Sequence, residues 1–326
     1  MDFFTLIEIP DSSIKISYQD QIMLFGSCFA ESIGNQLREY KFQVDINPFG
    51  VLYNPISISQ AIRSLLNPTL KTKENLFFHN GLFHSFTHHS NFSATTEDIC
   101  IENINNRMNK AATYLNKTDH LLITFGSAYV YQLKNSGEIV ANCHKLPGQL
   151  FNHKRLSISD IVNEWKLLLS ILFEKNKQLH VIFTVSPIRY WKYGAHGNQI
   201  SKSILLLAIE EIQKIYPERT GYFPAYELML DELRDYRFYA EDMSHPSTTA
   251  IQYIWKRFTE TYMEQPTQQL LAEIKDILKS IGHKPFNPQS ESYKQFVTQT
   301  LLKIELLIKK RPYLCFEQEI KRLSNY

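Results

Sequence analysis

Residues 21–40 read QIMLFGSCFAESIGNQLREY. An apolar run at 22–25 stops at Gly26-Ser27-Cys28, after which Phe29, Ile33 and Leu37 recur at helical spacing with Glu31 and Arg38 between them. The pattern is strand, tight turn, helix. Such a turn projects a side chain from the carboxyl end of a strand beside the amides of a helix N-terminus, where developing negative charge is stabilised and a thiol ionises more easily. Ser27 and Cys28 are both candidate nucleophiles. The same pattern is also an ordinary α/β connection with a cysteine as packing, so the chemical reading needs a partner elsewhere in the chain.

Residues 241–247, EDMSHPS, supply one. Asp242 precedes His245 by three residues, and Pro246 can open the helix that follows, so the carboxylate is spaced to orient the imidazole. Together the two stretches resemble the SGNH/GDSL hydrolase superfamily, whose nucleophile follows the first strand in a Gly-Asp-Ser turn and whose Asp-x-x-His lies near the end of the domain. More narrowly, Gly26-Ser27-Cys28-Phe29-Ala30 spells the motif of the GSCFA family. The resemblance runs from the N-terminus to Tyr262. It implies an α/β fold of the SGNH-hydrolase-like, flavodoxin-like kind, a parallel sheet flanked by helices. Within it Cys28 takes the place of the superfamily's serine and Ser27 that of its aspartate, which makes Cys28 the nucleophile and Ser27 the alternative. His245 is then the general base and Asp242 its orienting carboxylate. The amides of Cys28 and Gly50 are the implied oxyanion donors. Gly126-Ser127-Ala128 departs from the superfamily's Gly-x-Asn, because Ala128 cannot donate; Ser127 or a backbone amide has to substitute. Residues 223–247 look like the family's C-terminal block, with Glu227 and Arg237 placed to order the catalytic loop.

Composition narrows the partners. With 35 basic and 33 acidic residues and a net charge of +2, the chain has no electrostatic footprint for nucleic acid or an anionic membrane. The four cysteines, Cys28, Cys100, Cys143 and Cys315, include no CxxC pair, which argues against a disulfide framework or zinc module and fits a cytoplasmic setting. The N-terminus lacks a signal-peptide pattern, and no apolar run is long enough to span a membrane.

Apolar runs at 22–25, 120–125, 179–185 and 220–226, with a shorter alternation at 42–44, are separated by helical patterns at 98–115, 158–173 and 199–216. That alternation reads as a parallel sheet with helices on both faces. Asn54 precedes the helix that opens at Pro55 and is a candidate substrate contact. Asn80-Gly81 is a hairpin signal, with His79, His84, His88 and His89 around it; a hairpin covering the site rim is the expectation, ahead of a metal site, because no acidic or thiolate ligands accompany the histidines. Cys143-His144 is a poor dyad by adjacency, yet either residue can line a pocket. Residues 188–203, IRYWKYGAHGNQISKS, follow a strand end with Arg189, Trp191, His196 and Asn198 among aromatics, the density of a substrate-binding loop. Past Tyr262 the pattern changes to a helical extension, residues 263–326, that either packs on residues 1–262 or makes a homodimer contact. No Gly-rich phosphate loop points to a nucleotide cofactor; a coenzyme A thioester as acyl donor stays open. The expected function is acyl-ester chemistry, as an esterase or O-acyltransferase on a carbohydrate or other small acylated substrate. The alternative is a non-catalytic glycan- or protein-binding protein on the same fold.

Overall fold

The computed structural model describes residues 5–283 and 286–324. The strand β1 (Gln21–Gly26) leads into α1 (Cys28–Glu39), and β2 (Gln43–Ile46) into α2 (Pro55–Leu66). A hairpin, β3 (Phe77–His79) and β4 (Leu82–His84), precedes α3 (Glu97–Leu115) and β5 (His120–Phe125). Then come β6 (Tyr129–Leu133), β7 (Ile139–Val140) and β8 (Phe151–Arg155), followed by α4 (Ile158–Lys175), β9 (His180–Val185), α5 (Gly194–Ile215) and β10 (Thr220–Phe223). After α6 (Ala225–Glu227) and one π turn, α7 (Thr248–Tyr262), α8 (Gln265–Gly282), α9 (Glu291–Lys310) and α10 (Glu317–Leu323) end the described chain.

The main sheet has the order β10-β9-β5-β1-β2 with every pair parallel. Counted by appearance within the sheet this is 2-1-3-4-5, the flavodoxin-like order, whose ligands bind beyond the carboxyl ends of the strands near the switch point. The expected fold class stands. All six residues of β5 are buried, as continuous apolar runs require when helices cover both faces. Alternate residues of β1 sort to opposite sides: Met23 and Phe25 join a core with Leu121, Ile123 and Trp165, whereas Ile22 and Leu24 join one with Phe29, Leu37 and Phe258.

The helical extension packs on this second side. Ile274, Ile277, Ile304 and Leu307 belong to the same core cluster as Leu24 and Ile33, and Lys41 reaches Glu319 at 2.6 Å while lying 5.0 Å over the Phe316 ring. The sequence at 285–290, headed by Pro285, reads as a turn between two helices, and its first residue lies outside the described residues. Among the described residues no helix is long and apolar enough to cross a membrane.

Three local readings change. The last strand stops at Phe223, where Pro224 has no amide to donate. The helix expected from Gln199 begins at Gly194. A small antiparallel sheet, β7-β6-β8, stands after β5 where the sequence reading assigned no strand.

Candidate active site

Strand β1 ends in a residue that no other amino acid can replace. Gly26 has φ +145°, and a Cβ there would stand 2.3 Å from the Thr124 carbonyl oxygen of β5. The close approach lets Asn47 Oδ1 accept from the Gly26 amide at 2.9 Å and Gly26 O accept from Leu52 at 2.9 Å. The turn is thereby tied to the loop after β2, and α1 starts two residues after Gly26.

The two candidate nucleophiles part here. Ser27 is the N-cap of α1: its Oγ accepts from the Phe29 amide at 3.3 Å and donates to Ser186 Oγ at 3.0 Å, in a nearly inaccessible position. Cys28, the first residue of α1, is half-buried, and its Sγ lies 3.9 Å from the Tyr53 hydroxyl. Its amide has no carbonyl one turn back within the helix. Burial, followed by the nearby thiol, pushes the Tyr53 phenol well above its usual ionisation range, so it stays a neutral donor.

The Asp-x-x-His segment is a compact loop. The Asp242 carboxylate accepts from the amides of Ser244 and His245 at 2.9 Å each and from His245 Nδ1 at 2.5 Å. Met243, at φ +57°, makes the reversal. Because a carboxylate only accepts, Nδ1 carries the ring proton and Nε2 is left as the basic nitrogen. The same bonds, the two amides first, hold the Asp242 carboxyl down at about 2. The loop is anchored by Ala240 N to His245 O and Ser247 N to Phe238 O, both 2.8 Å. Glu227 and Arg237 do not order it: Glu227 receives the Tyr222 hydroxyl at 2.7 Å and Arg237 pairs with Asp235 at 2.8 Å.

Cys28, Ser27, Asp242, Ser244 and His245 all line one cleft of about 860 Å³ at the carboxyl edge of the sheet. Among the described hydrogen bonds none joins His245 to Ser27 or Cys28; the thiol's contact is Tyr53. Asn54, Ser127, Cys143, His144, Arg189 and Trp191 line the same cleft. Asn54 spends its side chain capping α2, through Ser57 N at 2.8 Å and Ser57 Oγ at 2.9 Å. Ser127 Oγ accepts from Tyr129 N at 3.1 Å and sits 3.4 Å from Ser201 Oγ, which itself accepts from Ala128 N. His144 donates from Nε2 to Ser85 O at 2.9 Å, and burial pushes its ring down to about 4, so it is neutral.

Three expected site residues are placed otherwise. Gly50 is not an oxyanion donor: its amide is bonded to Asn47 O at 2.7 Å, and at φ +75° it leaves room for His89, whose Cβ would lie 2.2 Å from any Cβ at this position. His196 is exposed on α5, outside the lining. Asn198 is buried and accepts from Tyr190 N at 2.9 Å, so it holds the loop instead of meeting a ligand. Of the hairpin histidines, His84 and His89 reach the cleft, while burial drives His88 down to about 3. Among the described residues no group of three or more His, Cys, Asp or Glu is arranged to hold a metal ion.

Sequence reasoning named Trp191 but missed the wall of tyrosines beside it and the anchor behind it. Tyr129 and Tyr193 stack at 3.7 Å, and Tyr131, Tyr190 and Trp191 extend the surface; the alternation Tyr129, Tyr131, Leu133 before Asn135-Ser136-Gly137 was the available signal. Lys202, fully buried on α5, donates to Gly126 O at 2.8 Å and Ser186 O at 2.7 Å, joining the ends of β5 and β9 behind the site.

A sequence model of the GSCFA family matches residues 21–258, and one of the GSCFA domain protein C-terminal domain matches residues 274–326. Similar solved structures include a carbohydrate esterase family 3 from Talaromyces cellulolyticus, 11% identical, covering 79% of this chain and 99% of that one with a TM-score of 0.36. An acetyl xylan esterase from the rumen bacterium Butyrivibrio proteoclasticus is 9% identical, with 74% and 63% covered and a TM-score of 0.37. A Clostridium thermocellum family 3 carbohydrate esterase is 9% identical, with 78% and 97% covered and a TM-score of 0.35. No curated protein matches the chain.

Proposed function

This chain belongs to the GSCFA family, and from that premise and the geometry of its cleft we propose that it carries out acyl-ester chemistry through a covalent intermediate on Cys28. The observation that carries the reading is a single cleft shared by an accessible thiol at a helix N-terminus and a His245 ring whose free nitrogen is fixed by Asp242. His245 Nε2 takes the thiol proton, and Sγ attacks the acyl carbonyl carbon. The resulting oxyanion is received by the Cys28 amide and the Tyr53 hydroxyl, which take the places of Gly50 and the missing asparagine. Collapse breaks the ester C–O bond, His245 returns the proton to the leaving alkoxide, and a thioester remains on Cys28. Water or a hydroxyl of an acceptor, deprotonated by His245, then attacks the thioester and regenerates the thiol. Hydrolysis makes the protein an esterase. Transfer makes it an O-acyltransferase, for which a carbohydrate hydroxyl is the acceptor suited to the tyrosine wall. A thioester donor such as acyl coenzyme A enters at the same acylation step.

The test is incubation with nitrophenyl acetate followed by intact-mass analysis. An acetyl adduct is expected on the protein and is expected to be lost in Cys28→Ala. An adduct that persists in Cys28→Ala and disappears in Ser27→Ala reassigns the nucleophile. A second reading, a glycan-binding protein without turnover, is favoured by the absence of a bond between His245 and Cys28; it predicts no adduct together with saturable glycan binding.

A further inference from the structure

The charge on the cleft wall is lopsided in a chain that is nearly neutral. Lys145, Arg189 and Lys192 face one carboxylate, Asp242, which His245 and two amides already occupy. Within the described residues none of the three cations has a carboxylate within ion-pairing distance, whereas Lys41, Arg107 and Arg257 each do. The surrounding phenols supply no counter-charge: burial pushes Tyr131, Tyr190 and Tyr193 all upward, so they remain neutral. His144 is neutral for the same reason.

The two loop cations are held in place by rings that do not neutralise them. Arg189 lies 4.7 Å over the Trp191 ring, and its Nε is buried with no partner. Lys192 donates to the Tyr131 hydroxyl and sits 4.6 Å over that ring and 5.8 Å from Tyr193. A guanidinium over an indole face is not neutralised by it, and its terminal N–H donors can still meet the oxygens of a carboxylate or a phosphate. Positive charge walled by low-dielectric rings is worth more to an incoming anion than the same charge in open water.

We propose that the molecule this cleft recognises is an anion, whose carboxylate or phosphate group is received by Arg189 and Lys192 while its ester lies at Cys28. The proposal deepens the acyl-ester reading and rests on it for the second clause only. Two sources share this chemistry: an acidic sugar, and a donor carrying a diphosphate.

Intrinsic fluorescence reports on the site, because Trp191 is 46% exposed at the cleft while Trp165 and Trp255 are 0% and 5% exposed. Wild-type protein is titrated with sodium pyrophosphate, with glucuronate and with glucose as the neutral counterpart. One anion or both is expected to bind about tenfold or more tightly than glucose, with affinity falling as salt rises. Tighter pyrophosphate points to the donor, tighter glucuronate to the acidic sugar. The double variant Arg189→Gln/Lys192→Gln, its fold checked by circular dichroism, is expected to lose about tenfold in anion affinity and to keep its glucose affinity. Anion binding no tighter than glucose in the wild type, or undiminished in the double variant, overturns the proposal. Nitrophenyl acetate labelling of the same wild-type preparation separates the failures. An adduct without anion preference leaves the acyl-enzyme standing alone, and anion preference without an adduct leaves the anion site standing alone.

Discussion

Ser27 and Cys28 are adjacent, yet one is consumed by the scaffold and the other faces the cleft, and the difference follows from helix geometry. An N-cap side chain folds back on the first turn, while the next side chain leaves the turn sideways. Ser27→Ala is therefore expected to lower stability by about 1 kcal/mol or somewhat more, through the lost cap and the bond to Ser186, and to keep the acyl adduct. Calorimetry and intact mass read the two effects separately; a lost adduct in a folded Ser27→Ala protein contradicts the assignment. At Asp242 the sign of the pH effect is fixed. Its hydrogen bonds hold the folded carboxyl down at about 2 from an ordinary 3.8, so its orienting bond to His245 is fully present above about pH 4 and is lost only as pH falls toward 2. Activity lost between neutrality and pH 4 then belongs to another group. Asp242→Asn is expected to reduce kcat/KM by about two to four orders of magnitude at neutral pH, by removing the ring's fixed tautomer. A reduction of less than about threefold shows that the pair does not act as base and orienter.

At the scale of elements, Lys202 does what no motif announced. A lysine on a helix reads as solvated surface, and only the spacing that places it beneath two strand ends makes it a clamp on Gly126 and Ser186. Burial pushes its ammonium down to about 7 from 10.5, opposed by the two carbonyls and by the Tyr226 ring 5.4 Å away. Between those values the unfolded chain binds more protons than the folded one, so the stability this group contributes rises from about pH 7 to about pH 10 and is lost as pH falls through 7. The excess stability of the wild type over Lys202→Met is expected to grow across that window. At about pH 9 it is expected to reach about 2 kcal/mol or more, since each buried acceptor left unpaired costs about 1–3 kcal/mol. An excess that is flat with pH means that the lysine stays charged. The legible elements were those with a strong period: the buried runs of β1, β5 and β9, and the hairpin at Asn80-Gly81, whose residues have φ +48° and +78°. Illegible ones were decided by partners far along the chain. Strand β8, Phe151–Arg155, is mostly exposed and carries Asn152, His153, Lys154 and Arg155, so only pairing with β6 reveals it. The commitment of the Gly50 amide to Asn47 is likewise a matter of turn geometry that no residue type spells out.

Across the whole molecule, the motif ends of the site could be read because Gly26 to Cys28 and Asp242 to His245 are short and chemically distinctive, and the parallel order then had to bring them to one edge. The role of the C-terminal helices could not, because an amphipathic helix shows that it has an apolar face and not which surface covers it. The structure buries that face in one core with residues of α1 and α7: Ile274, Ile277, Ile304 and Leu307 share it with Ile33, Leu37 and Phe258. Burying each such side chain is worth about 1.5–3 kcal/mol against a typical total stability of about 5–15 kcal/mol, before the entropy of ordering the helices is subtracted. A chain ending at Tyr262 therefore exposes a matching apolar surface on α1 and α7 as well as losing the helices. It is expected to melt well below the full-length protein and to elute as aggregate in size-exclusion chromatography. Glu319→Ala removes only the ion pair with Lys41, whose two side chains are mostly buried, and leaves the Lys41 ammonium with the Phe316 ring alone, so it is expected to cost about 1–3 kcal/mol, less than the truncation. A truncated chain that stays monodisperse with an unchanged melting temperature means that the helices add no stability to the sheet domain. A truncation that aggregates while Glu319→Ala stays folded and monodisperse locates the greater part of the attachment in the apolar face rather than in its charges.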